Sequence, residues 1–104
     1  MNKPSIGRIV LYALTEDEAR DINRRRNDAY SADLRERRPG LIAHIGNPVE
    51  EGQIVAMTIT GTYEDEYMTG TVNGQCTLDG NDALWVTSIS QGDGPGTWQW
   101  PERT

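Results

Sequence analysis

A chain of 104 residues with a formal net charge of −6, one cysteine, three tryptophans and no phenylalanine predicts a single domain, 1–104, with a modest core. One cysteine, Cys76, excludes an intrachain disulfide and suits a reducing compartment. No apolar run approaches the roughly 18 residues of a membrane span, and Met1–Gly7 lacks the apolar stretch of a signal peptide, so the expectation is a soluble, cytoplasmic protein.

The charge is uneven. Residues 1–38 carry nine Lys/Arg and seven Asp/Glu, whereas residues 39–104 carry one Arg and nine acids. This pattern has two readings: a solvated, mixed-charge helix face, or a local anion site in an acidic body. The acidic body argues against general nucleic-acid binding, which requires a basic face.

In chain order, Gly7–Leu14 is short, apolar and β-branched and predicts a buried strand. Thr15 and Glu18 form a capping box, with Leu14 and Ala19 placed as a hydrophobic staple. Glu16, Asp17 and Glu18 suit the positive end of the helix dipole. The helix is expected from about Glu16 to about Arg35. Its apolar stripe is Ala19, Ile22, Ala29, Tyr30 and Leu34, with Arg26 falling on the same stripe. Arg24, Arg25 and Arg26 fan around the helix, while Arg20 and Arg24 share a face. Pro39-Gly40 stops it.

Leu41–Ile45 reads as a second strand. Gln53–Tyr63 alternates, with Val55, Met57 and Ile59 on one face and Thr58, Thr60 and Thr62 on the other. Glu64–Glu66 is an acidic loop. Tyr67–Leu78 is strand-like, with Asn73-Gly74 read as a bulge in preference to a turn. Asp79–Asp82 makes a hairpin turn into Ala83–Ile89, where Leu84 and Val86 oppose Trp85, Thr87 and Ile89. Gln91–Gly96 is a glycine-rich loop, and Thr97–Trp100 a last strand whose two tryptophans point the same way and plug an open end. The expected fold is α+β, mainly β: a curled antiparallel sheet or partly open SH3- or OB-like barrel of five or six strands, with one helix after strand 1.

No motif marks an enzyme. For His44 the sequence marks no partner nucleophile, and Cys76 reads as a small buried residue. Asp79, Asn81 and Asp82 lack the glycine and the bidentate glutamate of a calcium loop. Gly92–Gly96 is followed by neither Lys-Ser/Thr nor a helix, so it is not a phosphate loop. No cofactor or metal is expected. The tryptophans read either as core or as a platform on which a base stacks while a guanidinium pairs with phosphate. On the second reading the ligand-binding candidates are Arg8, Arg20, Arg24, Tyr30, Trp85, Trp98 and Trp100.

The segments PSIGRIVLYALTEDEARDINRRR, LDGNDALWVTS and GDGPGTWQWPER together resemble a family of small, largely uncharacterised proteins of actinobacterial phages and prophages. The Gly-Thr-Trp-x-Trp-Pro ending is the most specific piece, and Gly46–Asn73 is the part least covered. The resemblance implies a phage accessory protein in the host bacterial cytoplasm and carries over no catalytic residue. The expectation is a non-enzymatic, homo-oligomeric counter-defence protein that sequesters a small anionic nucleotide immune signal. The alternatives are a protein–protein module that inhibits a host protein, with Trp98 and Trp100 as hot spots, and a virion component.

Overall fold

The computed structural model describes residues 3–36, 46–63, 70–80 and 82–102, without the side chains of 29–36. In chain order it contains β1 (Ile9–Ala13), α1 (Glu16–Glu36), β2 (Ile54–Tyr63), β3 (Thr71–Thr77), β4 (Ala83–Ile89) and β5 (Trp98–Gln99). The expected strand Leu41–Ile45 with His44, the loop Glu64–Glu66, and the side chains of Ala29, Tyr30 and Leu34 lie outside the described residues.

The strands form one antiparallel sheet in the order β4-β3-β2-β1-β5. The fold is mainly β with one helix after the first strand. The sheet is open but curled. Beyond β4, the Trp98 N–H donates to the Ser90 carbonyl (3.1 Å) and the Gly92 N–H to the Trp98 carbonyl (2.9 Å). The chain leaving one edge strand thereby reaches the strand at the other edge. Trp98 fills this curl with 0% exposure. Its indole N–H, which a buried tryptophan must satisfy, donates to the Gly70 carbonyl at 2.7 Å. Trp100 packs edge-on against it, centroids 5.2 Å apart, so the pair plugs the sheet as its spacing predicts.

The helix starts where the capping box places it. The Glu18 N–H donates to Thr15 Oγ1 (3.1 Å) and the Thr15 N–H to Glu18 Oε1 (2.9 Å). Leu14 and Ala19 enter the same core cluster. Glu18 also serves the core, because the buried Tyr12 hydroxyl donates to its carboxylate at 2.7 Å. One side chain thus satisfies both the helix start and a core phenol.

Strand alternation fixes two faces. Val10 and Tyr12, Val55, Met57 and Ile59, Val72 and Cys76, Val86 and Trp98 point into the core with Ala19 and Ile22 of the helix. On the outer face the register aligns Ile9, Thr58, Gln75 and Trp85 in one row across β1–β4, and Leu11, Ala56, Thr77 and Ala83 in the next.

The expected irregularity sits at Asn73-Gly74, but β3 itself runs straight through it. The extra residues belong to its neighbours, where the register shifts between Ile59 and Gly61 on β2 and between Val86 and Ile89 on β4. Asn73 stitches both: its amide donates to the Tyr63 hydroxyl (3.0 Å) and its carbonyl accepts from the Ser88 N–H (2.8 Å). Ser88 takes a φ of 55° there, in the left-handed region that bulges exploit. Each extra residue reverses the alternation beyond it. Ile89, expected beside Trp85, therefore pairs with Val72 and packs on the core, and Thr62, expected beside Thr58, also pairs with Val72.

Candidate functional site

The seven residues expected to meet one ligand are distributed over separate surfaces. Trp98 is core and presents no surface to solvent. Trp85 stands on the outer face, opposite Gln75, whereas Trp98 pairs with the inward Tyr12. The two tryptophans therefore lie on opposite sides of the sheet. Tyr30 lies on α1, and its side chain falls outside the described residues.

Arg8 and Trp100 do come together. The guanidinium carbon lies 4.9 Å from the Trp100 ring centroid, within the range of a cation–π contact. Arg8 is exposed, Trp100 is half-buried, and Arg8 forms no ion pair among the described residues.

Arg20 and Arg24 share a face, as their spacing predicts, and line an open groove of about 800 Å³ between α1 and residues 49–51. Its walls also carry Glu16, Asp28, Glu50 and Glu51. Each arginine already has a helical partner: Arg20 pairs with Asp17, and Arg24 lies 3.4 Å from Asp21. Four acids and two arginines line this groove, so its local charge is unfavourable to an anion.

Arg26, which sequence reading marks only as an interruption of the apolar stripe, is 7% exposed. Its guanidinium donates to both carboxylate oxygens of Asp82, Nε to Oδ2 at 3.2 Å and Nη2 to Oδ1 at 2.9 Å. It also donates to the Asn47 carbonyl. This ties α1 to the β3–β4 turn and to the segment leading into β2. The guanidinium is the first cause holding the Asp82 carboxyl below its ordinary value of 3.8. Gly46 and Gly80 make room for it, because a Cβ at either would sit 2.7–2.8 Å from its atoms. The contact is a structural latch rather than a ligand site, since each of the three guanidinium nitrogens donates a hydrogen bond within the protein.

Cys76 is buried, and burial followed by the nearby Glu18 charge pushes its thiol from 9.0 up to about 12. Such a thiol is inert at neutral pH. Among the described residues no three His, Cys, Asp or Glu side chains gather as they would around a metal ion. No described helix is long and apolar enough to cross a membrane.

Of the five large apolar side chains exposed among the described residues, four lie on the outer face of the sheet: Ile9 (60%), Ile54 (46%), Tyr63 (41%) and Trp85 (59%). Every described strand residue that register places on this face is uncharged, in a chain where 25% of residues are charged. Sequence reading singled out only Trp85. The others were signalled by alternation, since the positions opposite Val10, Tyr12, Val55 and Met57 carry no charge either. Comparison with protein-family models, with curated proteins and with solved structures gave no match.

Proposed function

We propose that this chain is a non-enzymatic binding protein that docks on another protein through the outer face of its sheet. The observation that carries this reading is the concentration of exposed apolar side chains on one uncharged face. An exposed tryptophan among β-branched and small polar residues has the composition of an interface centre, where charges are depleted and Trp supplies much of the binding energy. Scattered single hydrophobics need no explanation; what sets this face apart is that four exposed apolar side chains share it with no charged strand residue among those described. The resemblance of the chain's ends and hairpin to actinobacterial phage proteins supports a role in redirecting or inhibiting a host protein in the bacterial cytoplasm.

The test is a pull-down from actinobacterial host lysate with the wild-type chain, Trp85→Glu and the remote variant Glu102→Gln. A specific protein retained by the wild type and by Glu102→Gln, and lost with Trp85→Glu, is the expected outcome. No specific protein, or equal recovery with Trp85→Glu, would refute the reading.

A second reading, sequestration of an anionic nucleotide signal, is favoured by the Arg8–Trp100 contact alone, because Arg20, Arg24 and Trp85 lie elsewhere. Calorimetric titration with cyclic oligonucleotides and ADP-ribose-derived signals tests it. Saturable binding that Arg8→Ala abolishes supports it, and a flat titration across the panel removes it.

A further inference from the structure

We infer that the free edge of β4 and the cleft between it and α1 form a peptide-docking site, which takes an extended segment of another protein as an added strand. The site is separate from the outer-face reading and does not rest on it. Three observations carry it. The first is the edge itself. β4 pairs with β3 alone, so alternate residues turn their N–H and C=O groups away from the sheet. Among the described residues no further hydrogen bond reaches the backbone of residues 83–86, and the curl closes only further on, where Ser90 accepts from Trp98. Edge strands are ordinarily blunted by charge, proline or brevity. The opposite edge is blunted: β5 has two residues, Trp98 bridges to Gln91, and Pro101 follows. β4 runs for seven residues, ALWVTSI, without a charge or a proline. Its bulge begins beyond Val86 and leaves residues 83–86 in regular register.

The second is the cleft. It lies between α1 and β4, holds about 220 Å³, and is lined by Glu18, Asp21, Ile22, Arg24 and Arg25 of the helix and Leu84 of the strand. Ile22 belongs to the core and Leu84 packs on it, so the base of the cleft is apolar. Its volume is below the roughly 300 Å³ of a small-molecule pocket. It suits single side chains carried by a backbone that is held elsewhere. A strand laid along β4, about 4.8 Å from it, provides that backbone. The residue opposite Leu84 faces the cleft, and the residue opposite Trp85 faces away. Main-chain bonds then give affinity and the cleft gives selectivity.

The third is charge. Asp21 lies 3.4 Å from Arg24, and Glu18 accepts from the Thr15 N–H and the Tyr12 hydroxyl. Arg25 is exposed and forms no ion pair among the described residues. The carboxylates of the cleft are thus engaged, and one guanidinium is left to complement an acid. The segment that fits carries an apolar side chain and an acidic one at successive cleft-facing positions, two residues apart, the acid directed to Arg25.

Selection of random short linear peptides on the purified full chain tests this, followed by titration of the most enriched peptide in synthetic form. The expected peptide has an apolar residue and an acid two positions apart, and the amide resonances it shifts centre on residues 83–86 and Arg25. Arg25→Glu should weaken binding by about tenfold, because an attraction becomes a repulsion. Its circular dichroism should be unchanged, since Arg25 is exposed. Replacing the peptide's acid by lysine should restore binding to Arg25→Glu. N-methylation of alternate peptide nitrogens should abolish binding in one phase and be tolerated in the other, as an added strand requires. No enriched peptide, indifference to Arg25→Glu, an equal effect of both N-methyl phases, or shifts centred on another surface would each overturn the inference. None of these removes the outer-face reading, which falls only by the lysate comparison.

Discussion

Replacing Arg26 with alanine removes three hydrogen bonds from the junction of α1, the β3–β4 turn and the segment leading into β2. Breaking a fully buried ion pair from one side costs about 3–5 kcal/mol. Here the Asp82 side chain is 22% exposed, so water recovers part of its solvation, and the cost should be about 2–3 kcal/mol. For a domain of this size that lowers Tm by about 10–20 °C. Urea unfolding followed by tryptophan fluorescence measures it. A double-mutant cycle with Asp82→Ala should give a coupling of about 1–2 kcal/mol. The Asp82 carboxyl is held below 3.8 chiefly by its bond to Arg26. An acid with a lowered folded pKa contributes stability that is present above its unfolded value and lost as pH falls through the folded one. The wild type should therefore lose stability below about pH 4 more steeply than Arg26→Ala. A loss under about 1 kcal/mol, or a coupling near zero, would refute the latch.

The other expectations concern the core. Trp98→Ala should cost about 3–5 kcal/mol in urea unfolding, since the ring is fully buried and its N–H bonds the Gly70 carbonyl; a cost under about 1 kcal/mol would remove the plug. Gly74→Ala should cost about 1–3 kcal/mol, because a Cβ there collides with the side chain of Met57. Met57→Ala in the same chain should recover part of that loss, and strict additivity would speak against the contact. At alkaline pH the sign reverses. Burial raises the Cys76 thiol from 9.0 to about 12 and also raises the Tyr12 hydroxyl above 10.0, the latter further held by Glu18. The folded state keeps protons that the unfolded chain releases, so stability is complete below about pH 9 and declines above it. Urea midpoints from about pH 8 to 11 should fall, and a flat series to about pH 10.5 would contradict the burial of both groups.

The amino-acid sequence by itself determined the local features. Thr15 and Glu18 start the helix, strand alternation selects Val55, Met57 and Ile59 for the core, and Asp79–Asp82 turns the last hairpin. Each of these depends on neighbours a few residues apart, and the physics of caps, alternation and turns acts at that range. Tertiary structure decided what depends on pairing between distant segments. Ile89 and Thr62 changed faces because bulges on β4 and β2, held by Asn73, shifted their registers by one residue. The three tryptophans met three fates through strand placement: Trp98 in the core, Trp100 against it under Arg8, and Trp85 on the outer face. Arg26 became a buried latch because Asp82, 56 positions away, folds back onto the helix. The uncharged outer face emerged only when register aligned residues from four strands, since no single strand contains enough of it to be read.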